Sequence, residues 1–349
     1  MKTILVTGGC GFIGAHFVRK LYDTETWRTV NLDKLTYAGD RGRLAGLEDA
    51  DRYRLVEADI ADRAVLDELF RQERPSALVN FAAETHVDRS ILDATPFLHT
   101  NVVGVQSLLE AAREHGLERF LQISTDEVYG DAEGGEPFTE ESPLRPSSPY
   151  AASKAAADLL CLAYRRTYGT PALIVRSTNN YGPFQFPEKL IPLMIRNALI
   201  GKELPVYGDG AQQRDWLYVE DNCEAILAIL ERGETGAVFN VSGTADVDNL
   251  AMVRSLCRLV AEEAELKADE LVSRIHLVDD RPGHDRRYAL SSAKIRQQLG
   301  WAPKTSLEEG LRATVRWYAQ NPEWAERLAS SDYEDYYKSV YEAGWRKNS

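Results

Sequence analysis

Short runs of aliphatic and β-branched residues alternate with longer amphipathic stretches through the first half of the chain. The runs at 3–7, 29–33, 53–57, 77–81, 120–124 and 172–176 predict strands. Helical periodicity at 12–22, 63–72, 96–115 and 149–168 fills the gaps between them. The strands are apolar at nearly every position, which fits a sheet covered by helices on both faces. The pattern predicts an α/β protein with a doubly wound, mostly parallel sheet. Beyond about Tyr181 the rhythm breaks at Gly182-Pro183, Phe186-Pro187, Ile191-Pro192 and Leu204-Pro205. Shorter elements follow, with helices at 220–231, 249–262 and 307–318. The expected organisation is a first lobe over 1–180, with the chain returning to it around 210–245. A smaller α/β lobe over 181–349 interleaves with the first and covers the carboxyl ends of the strands. The aromatic, charged tail (332–337, Tyr341, Trp345) is read as a packed C-terminal helix.

Composition narrows the function classes. The chain has 349 residues and a net charge of −13, which disfavours non-specific nucleic-acid binding and anionic membrane surfaces. It does not disfavour a small phosphorylated ligand held by local donors. Cys10, Cys161, Cys223 and Cys257 are scattered and show no metal-ligand spacing, so neither a metal site nor a disulfide framework is expected. The N-terminus runs directly into a glycine turn rather than a signal peptide, and no apolar run reaches the ~18 residues of a membrane span. The expectation is a soluble cytoplasmic protein.

The first chemical signal is Gly9-Cys10-Gly11-Phe12-Ile13-Gly14, directly after a strand and opening a helix, with Gly8, Gly11 and Gly14 evenly spaced. Such glycines let the backbone turn tightly and approach a pyrophosphate at a helix N-terminus. Asp33 ends the second strand, where a carboxylate accepts hydrogen bonds from ribose hydroxyls and repels a 2′-phosphate. Together these point to NAD rather than NADP, with Lys34 as a neighbouring cation that partly relieves the repulsion. Asp59-Ile60 is a candidate contact for adenine, with a helix N-cap region as the competing reading. Ala82 and Ala83 are small enough for a cofactor to lie close.

Tyr150 and Lys154 share one helical face, behind Ser148 as N-cap and Pro149 at the first helical position. A nearby ammonium and a cationic nicotinamide both favour phenolate, which is expected to lower the Tyr150 pKa so that it takes a proton from an alcohol. Asp126 and Glu127 follow the fifth strand, with Thr125 able to donate to a substrate oxygen. Two close carboxyls resist double ionisation, so one stays protonated as an acid while the other serves as a base. That division suits removal of water.

These segments carry a resemblance. It runs through the glycine turn from Thr7 to Gly14, then Asn31 to Gly39 (with Thr36), then Ala82-Ala83-Glu84-Thr85-His86-Val87-Asp88-Arg89-Ser90. It continues with Ser124 to Gly130, Pro149 to Lys154, Asn179-Asn180-Tyr181, Phe186-Pro187-Glu188-Lys189-Leu190, Arg214 to Asp221 and Arg281 to Tyr288. The chain resembles the extended short-chain dehydrogenase/reductases, and among them the dTDP-glucose 4,6-dehydratase family, over nearly its whole length. The resemblance implies a Rossmann-type fold, tightly held NAD regenerated in each turnover, and a dTDP-glucose substrate. It implies oxidation at C4 with Tyr150 as base, removal of the C5 proton by Glu127, protonation of the leaving C6 hydroxyl by Asp126, and hydride return to C6. Thr125 is implied to hydrogen-bond the sugar near C4. Arg214 and Arg281 are the natural partners of the substrate's phosphates, with Asn180, Lys189, Leu190 and His284 nearby. Pro205, Tyr207 and Asn249 are implied around the base. His86 either contacts substrate or fixes its loop. The resemblance also implies a homodimer pairing the helices at 96–115 and 151–168. Cys10, Asp40 and Thr85 replace residues commoner at their positions, and none removes a reacting group.

Three alternatives stand beside this reading. UDP-glucose is a similar pyrimidine nucleotide sugar. An epimerase or decarboxylase uses the same tyrosine, lysine and NAD but needs no acid for the C6 hydroxyl, so Asp126 discriminates. A silent NAD-binding scaffold would not need the carboxyl pair at all.

Overall fold

The structure is a computed structural model and describes residues 1–47 and 51–328. The tail with Tyr336, Tyr341 and Trp345 lies outside the described residues.

Six strands form in sequence: β1 (Lys2–Thr7), β2 (Trp27–Asp33), β3 (Tyr53–Glu57), β4 (Ala77–Asn80), β5 (Arg119–Thr125) and β6 (Ala172–Ser177). Three more follow as β7 (Asn179–Tyr181), β8 (Leu204–Tyr207) and β9 (Gln213–Tyr218). The last are β10 (Val238–Val241), β11 (Asp246–Asp248) and β12 (Ile275–Val278). The central sheet has seven strands in the order β10-β6-β5-β4-β1-β2-β3, and all its pairs are parallel. The winding direction reverses between β1 and β4. Open α/β sheets place ligands at the carboxyl ends of strands beside such a switch.

Helices α1 (Phe12–Thr24), α2 (Arg63–Glu73), α3 (Val87–Leu92), α4 (Thr95–Leu98), α5 (Val105–Glu114) and α6 (Pro149–Tyr168) belong to the first half. The second half holds α7 (Leu190–Leu199), α8 (Val219–Arg232), α9 (Asn249–Ala264), α10 (Ala268–Val272), α11 (Ala293–Leu299), α12 (Leu307–Gln320) and α13 (Pro322–Leu328). One face of the sheet packs on α1, α8 and α11 through Phe17, Leu21, Ile226, Ile229 and Ile295. The other packs on α2, α5 and α6 through Leu66, Phe70, Leu108, Leu109 and Cys161. Each fully buried aliphatic or aromatic side chain contributes about 1.5–3 kcal/mol, so the scaffold under the strand ends is stiff. The second lobe has its own core, with Leu193, Met194, Leu256, Leu259, Val315 and Tyr318, built on the sheet β11-β9-β7 and the pair β12-β8. All four cysteines are buried and unbridged.

Two features depart from the pattern-based expectation. Beyond α8 and β10, which lie within the 210–245 segment, the chain joins the central sheet's packing again through α11, which the sequence pattern did not suggest. The single helix expected over 96–115 is instead α4, a π-helical turn (His99–Gly104) and α5. A wider turn of this kind often marks a functional position. Here it lets Asn101 accept from the Glu84 amide at 2.9 Å and donate to the Glu84 carbonyl and Ser153 Oγ. Three segments that meet at the groove are thereby tied together.

Candidate active site

The groove begins at the glycine turn. Gly8 has φ +70°, and a Cβ there would stand 2.5 Å from the Ala82 amide nitrogen. A Cβ on Gly14 would stand 2.3 Å from the Gly8 carbonyl oxygen. The turn can close against β4 and start α1 only without those side chains. Asp33 accepts from the Cys10 and Leu35 amides, both at 2.8 Å, which fixes its carboxylate at the end of β2. It lines a cleft with Gly11, Lys34, Thr36, Asp59, Ile60, Ala82 and Ala83. Lys34 is paired with Asp59 at 2.7 Å, so its charge is directed to that carboxylate. The N-cap of α2 is Asp62, which leaves Asp59 in the cleft. Cys10 is buried and its Sγ accepts from Asn31, so it packs under the turn.

The cleft continues into a chamber lined by Phe12, Ile13, Gly14, Thr85, Thr125, Asp126, Glu127, Tyr150 and Lys154. β5 delivers Thr125, and a single 3₁₀ turn (Asp126–Tyr129) presents both acids. Helix α6 starts at Ser148, whose Oγ accepts from the Ala151 amide at 3.1 Å; such a cap is worth about 1 kcal/mol. Ser90 Oγ of α3 accepts from the Tyr150 amide at 3.1 Å and so fixes the start of the helix.

The two acids are not equivalent. Burial, followed by the charge of Glu127, pushes Asp126 up to about 8. Burial also raises Glu127, but Arg281, Arg214 and Lys189 oppose it. Asp126 Oδ1 accepts from Thr125 Oγ1 at 3.0 Å, while Asp126 Oδ2 and Glu127 Oε2 have no hydrogen-bond partner among the described residues. Burial thus favours a proton on Asp126, while three cations oppose the rise at Glu127, and each carboxyl keeps one oxygen without a partner among the described residues.

Tyr150 lies in the first turn of α6 and is buried. Burial and the neighbouring Glu127 push its phenol well up, and Lys154 does not offset this. Lys154 Nζ donates to the Ile123 carbonyl at 2.7 Å, and burial pulls its pKa down to about 8. In a water-poor pocket with two carboxyls, desolvation outweighs one ammonium.

The chamber opens into a second space bordered by both lobes. Its lining includes Glu127, His86, Lys189, Leu190, Pro205, Tyr207, Arg214, Asn249, Arg281 and His284. Arg214 is buried, donates to the Asp285 carbonyl at 2.9 Å and lies 4.2 Å from the Tyr288 ring centre. Arg281 pairs with Asp88 at 3.3 Å, and the same carboxylate accepts from Tyr207 at 2.8 Å. Tyr207 thus offers a ring edge-on to His284. His86 is buried beside Glu188, and burial with the Lys189 charge pulls it down to about 3, so it is neutral. Burial likewise lowers His284, whose Nδ1 lies 2.6 Å from Asp280. Lys189 Nζ donates to the Thr85 carbonyl at 2.9 Å.

Every candidate residue from the sequence lines one continuous groove, with one shift of place. Asn180 borders the central chamber and not the outer space, whereas its neighbour Asn179 borders both. Sequence reasoning also missed Thr100 at the cofactor end, Arg43 and Glu188 in the chamber, and Asp88. Glu188 is pushed up to about 7 by burial and accepts from Tyr37 at 3.1 Å. Position within the resembling segments was the one signal available for Glu188 and Asp88.

Comparison with known proteins meets this geometry. Residues 5–314 match the family described as GDP-mannose 4,6 dehydratase. A dTDP-glucose 4,6-dehydratase of Neisseria meningitidis is 49% identical over 95% of this chain and 98% of its own. The chain belongs to the dTDP-glucose 4,6-dehydratase family. DesIV, the dTDP-glucose 4,6-dehydratase of Streptomyces venezuelae crystallised with NAD and a second ligand, superposes with a TM-score of 0.88 at 45% identity, over 93% of this chain and 99% of that one. The Bacillus anthracis family member in complex with NAD gives 0.86 at 42% identity, over 94% and 100%.

Proposed function

We propose that this protein holds NAD in the groove and converts dTDP-glucose to dTDP-4-keto-6-deoxyglucose with loss of water. The observation that carries the reading is the unequal pair Asp126 and Glu127, each with an unpartnered oxygen in a chamber that also contains Tyr150. The Gly8–Gly14 turn suits the dinucleotide's diphosphate, and Asp33 its adenosine ribose. Thr36, Asp59, Ile60, Ala82, Ala83 and Thr85 border its path, with Tyr150 and Lys154 at the nicotinamide end. Bound there, NAD supplies a hydride acceptor for C4, a hydride donor for C6 and a positive ring charge.

Tyr150 would take the C4 hydroxyl proton, with the Lys154 ammonium and the bound ring as the cations that would favour its phenolate. The ketone that results acidifies C5, from which Glu127 takes a proton. Asp126, protonated near neutral pH, gives its proton to the C6 hydroxyl, which leaves as water. Glu127 returns its proton to C5. Tyr150 has then gained one proton and Asp126 lost one. The Thr125 hydroxyl, hydrogen-bonded to Asp126 at 3.0 Å and also to Tyr150, stands between them. Arg214, Arg281 and Lys189 set the diphosphate, and Pro205, Tyr207 and Asn249 enclose the base.

Incubation with dTDP-glucose and, in parallel, UDP-glucose tests the proposal. The expected product has lost one water and shows the alkaline chromophore of a 4-keto sugar, with dTDP-glucose the faster substrate. Recovery of dTDP-galactose would instead establish an epimerase. The reading includes a homodimer: Leu98, Val103, Leu159, Leu162 and Tyr168 are exposed apolar side chains on α4, the π turn and α6, the helices expected to pair. Light scattering on the purified chain checks it, and a monomer across micromolar concentrations rejects it.

A further inference from the structure

Arg43 belongs to a 3₁₀ turn (Arg41–Leu44) that looks in sequence like an ordinary charged loop, yet it is fully buried. Its Nη1 donates to the carbonyl of Cys10, inside the glycine turn, at 2.8 Å and to the Ala38 carbonyl at 2.6 Å. Its Nε donates to the Phe184 carbonyl at 3.0 Å. These acceptors are neutral. Among the described residues Arg43 makes no ion pair. The carboxylates nearest to it are occupied: Asp40 by Arg327, Trp324 and the Gly42 amide, Asp33 by two amides of the cofactor turn. Its Nη2 is buried and has no hydrogen-bond partner among the described residues. Arg43 lines the chamber alongside Gly8, Gly11 and Phe12.

A guanidinium withdrawn from water and left without an anion is costly. The burial is reflected in a pKa lowered by desolvation, which Asp40 only partly opposes. An anion brought to the glycine turn would relieve that cost. It would also meet the positive end of α1, a helix of 13 residues.

We infer that Arg43 is a diphosphate-binding residue, its free Nη2 donating to a phosphate oxygen of the dinucleotide while its other nitrogens hold the glycine turn and the Phe184 carbonyl in place. The inference rests on the dinucleotide reading of the groove and adds to it a side-chain cation where the sequence pattern supplies only backbone amides. Because Phe184 and Trp324 belong to the second half of the chain, and the Trp324 ring lies 5.4 Å from the guanidinium carbon, the contact also ties cofactor retention to α13.

The test uses the full chain freed of cofactor and titrated with NAD, ADP-ribose and adenosine. Arg43→Met is expected to weaken NAD and ADP-ribose by about 10- to 100-fold, the scale of one charge-assisted hydrogen bond, with adenosine binding unchanged. Arg43→Lys, which keeps the charge, should fall between. Equal weakening of all ligands, adenosine included, would reduce Arg43 to a support for the turn and overturn the inference, as would NAD binding unaltered in Arg43→Met. If Arg43→Met does not fold, a crystal structure of the wild-type NAD complex decides. Nη2 within hydrogen-bond reach of a phosphate oxygen upholds the inference, and Nη2 turned away from the diphosphate rejects it. Failure of the wild-type chain to bind NAD at all would sink the dinucleotide reading itself, a separate result.

Discussion

At the cofactor end of the groove a ligand meets mainly main chain: a glycine turn pressed on β4, small alanines, and amides organised by Asp33. At the end proposed for the sugar nucleotide it meets mainly side chains, brought from both lobes and held by one another, as Asp88 holds Arg281 and Tyr207. The first surface is rigid because a sheet and two helical layers stand under it. The second depends on charges whose balance changes with every partner added. Recognition of a common dinucleotide can be built into the backbone, whereas acid and base chemistry needs groups that can be tuned.

The difference can be broken from either side. The largest effect is expected from Asp126→Asn, which removes the acid and leaves the groove intact. Turnover should fall about 10²- to 10⁴-fold, the usual contribution of a positioned acid, while reduced cofactor accumulates at 340 nm. Normal release of water by this variant would remove Asp126 from the mechanism. Glu127→Gln should lose solvent deuterium incorporation at C5 to a similar degree, read by mass spectrometry. At the other end Gly14→Ala strikes the backbone. It should cost about 1–3 kcal/mol of stability in denaturant unfolding and strip the bound cofactor during purification, and a cofactor-replete variant of wild-type stability contradicts the turn geometry. Arg281→Gln should raise KM about 10- to 100-fold with a much smaller change in kcat, since it removes a phosphate donor and no reacting group. The mildest test is pH. Asp126 must be protonated to act as acid and sits near 8, and Lys154 must stay charged and also sits near 8. Both are in the working form below that value and lose it above, so kcat/KM should decline as pH climbs through about 8. A profile flat across that point goes against both assignments.

What was legible in the sequence follows the same division. The strand, turn and helix around Gly8–Gly14, and Asp33 behind them, form one local unit, so spacing alone located them. Tyr150 and Lys154 were legible for the same reason, since a helix sets their relation. The π turn was not, because it exists to satisfy Asn101 against Glu84 and Ser153, contacts made only after folding. Arg43 looked like any loop arginine until burial removed its solvent. For Tyr150 the spacing to Lys154 is visible in sequence, whereas depth in a pocket shared with two acids, which pushes the phenol up, is not.

The carboxylate of Asp88 has one further implication. It pairs with the guanidinium of Arg281, so an anion arriving there has to compete with it. A lone weakly charged group gains little from that exchange, whereas two linked phosphates reaching Arg281 and Arg214 together gain at both positions. If the proposed function holds, this carboxylate would favour sugars activated by a diphosphate over sugar monophosphates.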